Sequence, residues 1–133
     1  MGKLRGEKGS VAVEFAILMP LLFVFIFGII EFGLALCNKQ IITNACREGA
    51  RRGIVYPAGS VSDDEIKETV SYYLQPLMPL DGVIDVDHPE GQMPGKPLYV
   101  TATYRYDFWA LDSFIPGLGD SLTLSSQAVM IYE

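Results

Sequence analysis

The sequence predicts an α+β protein: a long N-terminal transmembrane and stalk helix, then a small head with one helix on a three-stranded antiparallel sheet. Three observations carry this: a nearly uncharged apolar run close to the N-terminus, a capped helical repeat after residue 60, and alternating stretches in the second half. With 133 residues, half of them apolar and only 20% charged, the chain is not of the disordered, highly solvated kind. Charge is divided unevenly. Residues 1–54 hold seven Lys/Arg against four Asp/Glu, a net of +3, whereas residues 55–133 hold three against twelve, a net of −9. So acidic a second half repels phosphate backbones and excludes nucleic acid as its partner.

No residue from Phe15 to Ile30 carries a charge, and beyond Glu31 the run resumes through Phe32 and Leu34 to Cys37. A helix needs about 20 mainly apolar residues to cross the hydrocarbon core, so a single span is expected over Val11–Leu36. Glu31 falls toward its far end, where a carboxylate reaches the headgroups cheaply. The basic start (Lys3, Arg5, Lys8) fits the front of a signal peptide. The apolar run, however, exceeds the usual length of about 7–15 residues, and no small-x-small cleavage site follows it. The helix is expected to stay in the mature chain. Basic residues flank both ends, so charge alone does not orient the span.

Pro20 removes one backbone donor and frees the carbonyl of Ala16, which predicts a kink. Beyond the membrane the helix should continue to about Gly53, a length of about 66 Å from Ser10. Ala45, Gly49 and Gly53 form a strip of small residues that permits close helix packing, on a neighbouring subunit or on the chain's own head. Glu48 and Arg52 stand in the favourable order for a helical ion pair. Cys37 and Cys46 lie on opposite helix faces, about 13.5 Å apart along the axis, and cannot bond to each other. Free buried thiols and an intersubunit disulfide both stay open.

Tyr56-Pro57-Ala58-Gly59 should break the helix. Ser62-Asp63-Asp64-Glu65 reads as a capping box, with Val61 and Ile66 as its hydrophobic staple. Ile66, Val70, Leu74 and Leu77 follow at helical spacing, predicting a helix over about 63–75. Its acidic first turn suits the helix dipole. Strands are expected at Val83–Asp87, at Leu98–Arg105 and from Leu122 to Met130, where apolar and polar residues alternate. Pro/Gly-rich loops separate them at 88–97 and 116–119.

No catalytic set, phosphate loop or Cys/His metal spacing is present in the sequence, so neither an enzyme nor a cofactor is expected. The only histidine, His88, lies among Asp85, Asp87 and Glu90 and reads as part of a solvated loop. A calcium site there would lack the spacing and glycine of the EF-hand. Tyr104, Tyr106, Phe108 and Trp109 read as core or subunit interface.

Glu14 is the anomaly, a carboxylate flanked by Val11, Ala12, Val13 and Phe15. It either snorkels to the headgroups or awaits a partner for its buried charge. A short basic leader, Gly9, an apolar helix and a glutamate five places after the glycine together resemble the processing site of type IV pilin-like precursors. Glycine before the bond leaves a membrane peptidase unobstructed. Gly9-Ser-Val-Ala-Val-Glu-Phe-Ala16, Leu18-Met-Pro-Leu21, Gly28-Ile-Ile-Glu-Phe-Gly33, Ala45-Cys-Arg-Glu-Gly-Ala-Arg51 and the final Gln127-Ala-Val-Met-Ile131 resemble the TadE-like pseudopilins. That family belongs to the tight-adherence (Tad/Flp) type IV pilus system. The major Flp pilins carry Glu-Tyr where this chain has Glu14-Phe15, which favours a minor pilin.

The resemblance implies a leader at 1–9 cut between Gly9 and Ser10 by a prepilin peptidase, a transmembrane and stalk helix at 10–54, and a periplasmic head at 55–133. Glu14 becomes the assembly contact, pairing with a neighbouring subunit's new amine and so neutralising two charges in a low-dielectric assembly. The implied setting is the inner membrane, single-pass, with lipid, the Tad assembly platform, other Tad pseudopilins and the Flp pilin as partners in pilus assembly. The alternative is an uncleaved single-span envelope protein whose head binds another envelope component. A small envelope enzyme or metal binder using the 85–90 loop is a third reading.

Overall fold

The structure, a computed structural model, describes residues 3–55, 57, 59–77, 82–115, 117, 119 and 121–133. Met1 and Gly2 of the leader lie outside the described residues. So do Tyr56 and Ala58 of the first predicted break, and Pro116 and Leu118 of the loop before the last strand. In chain order the elements are α1 (Lys3–Gly53), α2 (Asp63–Leu74), a 3₁₀ turn (Gln75–Leu77), β1 (Gly82–Asp87), β2 (Pro97–Asp107), α3 (Leu111–Phe114) and β3 (Ser121–Ile131). The class is α+β, as the patterning predicts, with α3 as an added single turn. The chain divides into two compact units, Met1–Gly33 with Phe108–Asp120 and Leu34–Asp107 with Ser121–Glu133.

In the second unit the strands form one antiparallel sheet in the order β1-β2-β3. Val100 at its centre pairs with Val86 on one side and Ala128 on the other. Alternation along β2 turns Leu98, Val100, Ala102 and Tyr106 inward, the period-2 pattern of a half-buried strand. The C-terminal part of α1 supplies Ile42, Ala45, Cys46 and Ala50 to the same core, and α2 supplies Ile66, Val70 and Leu74. Both sets follow the 3-4 spacing that gathers apolar residues on one helix face. Burying a residue such as Ile66, 0% exposed, contributes about 1.5–3 kcal/mol.

α2 begins where its cap dictates. Ser62 Oγ accepts the backbone N–H of Glu65 at 3.3 Å, satisfying one of the free donors of the first turn. Only that half of the predicted capping box forms, because the Glu65 carboxylate accepts from Arg52 Nη2 at 3.4 Å. The same contact corrects the predicted Glu48–Arg52 pair: Glu48 lies 3.8 Å from Arg51 instead. With a second carboxylate on the first turn of α2, Arg52 turns to it and leaves Glu48 to its other neighbour.

Gly49 and Gly53 face the core. A methyl group on Gly49 would collide with Val70 Cγ2, and one on Gly53 with Leu98 Cδ2 and Ile66. Within this unit the small residues thus let α1 approach α2 and β2 closely, with Ala45 0% exposed beside them.

Candidate functional site: the carboxylates of the N-terminal helix

From Gly9 to Gly53 α1 is long and apolar enough to cross a membrane. In its N-terminal part Val11, Phe15, Ile17, Leu18, Leu21 and Phe25 are all exposed. Such a surface is costly in water and favourable in lipid. The helix runs unbroken through Pro20, where the missing N–H leaves the Ala16 carbonyl without its intrahelical donor.

Gly9, Ser10 and Glu14 are helical and exposed. Nothing lies within 4 Å of where a Gly9 side chain would begin, so the fold itself places no steric demand for glycine there. Ser10 and Glu14 are one turn apart, on the same helix face. Glu14 has no hydrogen-bond or ion-pair partner among the described residues. Within the hydrocarbon an unpaired carboxylate is costly, less so near the headgroups.

Glu31 is the opposite case. It is 1% exposed, and its Oε1 accepts the backbone N–H groups of Trp109 at 3.1 Å, Leu111 at 3.2 Å and Ala110. Leu111 opens α3, and the other two amides belong to the residues just before it, its N-cap Ala110, which makes no side-chain cap, and Trp109. The cap is supplied from α1 by a carboxylate 78 residues earlier in the chain than its first donor. Charge-assisted bonds of this kind are the stronger class, and consecutive N–H groups form a nest for an anion. Oε2 is buried with no hydrogen-bond partner among the described residues. The sequence places Glu31 toward the headgroups but does not announce these partners, the three backbone amides that its Oε1 accepts. The signal in the sequence was only a lone acid in an apolar run.

Around this contact Trp109 meets Phe27 edge-on at 6.1 Å, Phe27 stacks on Phe23 at 6.2 Å, and Phe32 lies 6.2 Å from Phe108. Trp109 is nevertheless 79% exposed. Of the four aromatics grouped in the sequence, Tyr104 and Tyr106 lie on β2 in the second unit and Phe108 and Trp109 lie in the first.

His88 also departs from expectation. It does not join Asp85, Asp87 and Glu90 in a solvated loop; Asp85 and Asp87 lie exposed on β1. Its side chain is only 13% exposed, with Nε2 2.7 Å from Asp63 Oδ1 and Nδ1 2.8 Å from the Tyr132 hydroxyl. With Tyr132 donating to Nδ1 and Nε2–H donating to Asp63, all three groups are satisfied. The chain ties the start of α2 to the residue after β3, where Tyr132 N–H donates to the Lys96 carbonyl and Gly95 N–H to the Tyr132 carbonyl. Gly95 reaches this position at φ +82°, a backbone conformation that favours glycine.

The residues around Glu14 and Glu31 match a known family model, that of the TadE-like proteins, over residues 9–51. This segment is TadE-like. The match begins at Gly9 and ends within α1, so it covers the glycine, Ser10, both carboxylates, Pro20, Ala45 and Gly49. The match agrees with the resemblance read from residues 9–51 of the sequence; Gln127–Ile131, which the sequence resemblance also included, lies outside it. No curated protein and no solved structure matches the chain.

Proposed function

We propose that the protein is a minor pseudopilin of Tad/Flp pilus assembly. In this reading α1 is anchored in the inner membrane with the head in the periplasm, and a prepilin peptidase cuts between Gly9 and Ser10. The observation that carries it is the TadE-like match over the apolar helix, starting at Gly9. Two structural features support it. Gly9 is unconstrained by its own fold, consistent with a demand for glycine that comes from a peptidase. Glu14 is exposed and unpaired among the described residues on an apolar surface, as an assembly contact has to be before its partner arrives.

Cleavage would make Ser10 the first residue of the helix and set Glu14 in its opening turns, where a negative charge is favoured by the helix dipole. The bond lies inside α1, so the peptidase must first unwind this end. Gly6 and Gly9 ease that, each weakening a helix by about 1 kcal/mol relative to alanine. In this role the protein needs no cofactor and catalyses no reaction. Its partners are the peptidase, the Tad assembly platform, other Tad pseudopilins and the Flp pilin. Glu14→Ala tests the reading: membrane insertion and processing should persist while pilus formation is strongly impaired. Normal piliation by that variant would remove Glu14 from assembly.

A further inference from the structure

The segment after β2 hangs from the membrane helix, and its composition and exposure suit a second lipid contact. Phe108-Trp-Ala-Leu-Asp-Ser-Phe-Ile115 contains one charged residue and no basic one. Its attachment is the Glu31 carboxylate, which gathers the Trp109, Ala110 and Leu111 amides. Leu111 is buried and lies 4.0 Å from where a Gly28 side chain would begin. Trp109 and Ile115 remain exposed.

Depth follows from α1. If the hydrocarbon begins at Val11, its thickness of about 30 Å is used up by roughly 20 helical residues, which ends it near Ile30. Glu31 is then the first residue past the boundary, and the amides it holds share that depth. Trp109 reaches back to Phe27, four residues or about 6 Å deeper along the axis. An exposed tryptophan at this level matches the aromatic belt, where an indole sits among headgroups with its ring toward the acyl chains. Phe108 of this segment lies 6.2 Å from Phe32, which joins it to the exposed apolar face of α1 that Phe32 shares with Phe25 and Ile29 and argues for lipid as the occupant. We propose that Phe108–Ile115, positioned by Glu31, is a second membrane contact that seats Trp109 in the headgroup region where α1 leaves the bilayer.

This inference rests on α1 spanning the membrane. Since Phe108–Ile115 lacks basic residues, the contact is apolar and indifferent to anionic lipid and to salt.

Trp109 is the only tryptophan, so its fluorescence reports this contact alone. The full chain would be reconstituted in zwitterionic phosphatidylcholine vesicles brominated either near the glycerol end of the acyl chain or near its methyl end. Flotation of the vesicles reports the span separately. The expected result is flotation with Trp109 quenched more by the shallow bromines, unchanged when anionic lipid or salt is added. Flotation without Trp109 quenching would overturn the second contact while leaving the span intact, and would leave a neighbouring protein as the occupant. Failure to float even in alkaline carbonate would overturn the span and the inference together. Glu31→Ala should lower the docking equilibrium constant by roughly tenfold for each charge-assisted bond lost, reducing the shallow quenching. Glu31→Gln, which keeps an acceptor oxygen, should restore much of it. Equal quenching in wild type and Glu31→Ala would remove Glu31 from the positioning role.

Discussion

Replacing Gly49 by alanine puts a methyl group onto Val70 Cγ2, with Val100 Cγ1 at 3.5 Å and Ile66 Cγ2 at 3.6 Å. Val70 is fully buried, and a valine within a helix has one strongly favoured rotamer, so it cannot swing aside. Overpacking of this kind costs about 1–3 kcal/mol. Exchanging glycine for alanine in a helix returns about 1 kcal/mol. The expected net loss is about 0–2 kcal/mol. In a Val70→Ala background the methyl group has room, and the same substitution should become neutral or stabilising by up to about 1 kcal/mol. The assay is denaturant unfolding of the full chain in mild detergent, followed by the near-ultraviolet circular dichroism of the head tyrosines. Gly33→Ala is the control, because nothing lies within 4 Å of its new methyl group. An equal loss from Gly49→Ala in both backgrounds would refute the steric reasoning.

Ser62→Ala removes the cap of α2 and should cost about 1 kcal/mol, read as a lower denaturation midpoint in the same assay; an unchanged midpoint would count against the cap. Alkaline pH should also destabilise the head. Burial pushes the Cys46 thiol above its ordinary 9.0, against smaller lowering effects of the Ala102 backbone hydrogen bond and the Lys39 charge. Burial, and then the charge of Asp63, pushes the Tyr132 hydroxyl above its ordinary 10.0. Both groups therefore stay protonated in the fold at pH values where the unfolded chain ionises them. Their contribution is complete below the ordinary values and is lost as pH rises through the raised ones. The double variant Cys46→Ala, Tyr132→Phe should lose stability less steeply above about pH 9; an equally steep decline would contradict this assignment.

What the sequence made legible was local. The Ser62 cap, the Ile66-Val70-Leu74 spacing and the alternation of Leu98, Val100 and Ala102 each encode an element within a few residues, and the structure has α2 and β2 there. Contacts across long loops left no such mark. Glu31 finds backbone amides at 109–111, and every residue type has such an amide, so no side-chain pattern announces it. His88 stands among acidic neighbours in sequence. The pleat of β1, with Ile84 and Val86 half-buried, leaves Asp85 and Asp87 exposed, and His88 meets Asp63 and Tyr132 from far along the chain as well as Gln92 from its own loop. Arg52 illustrates the same limit, since a helical neighbour predicted its pair and the first turn of α2 supplied it. At Gly9, Ser10 and Glu14 the sequence says more than the fold does, because the chemistry assigned to them involves a peptidase and a neighbouring subunit.

The account depends most on processing after Gly9. Intact mass and N-terminal sequencing of the full chain, co-expressed with a prepilin peptidase, test it directly. The account predicts a chain that has lost residues 1–9 and begins at Ser10, with the loss abolished by a bulky residue at Gly9, such as Gly9→Leu, that leaves insertion unchanged. A chain still beginning at Met1, under conditions where a known prepilin is cut, would contradict it.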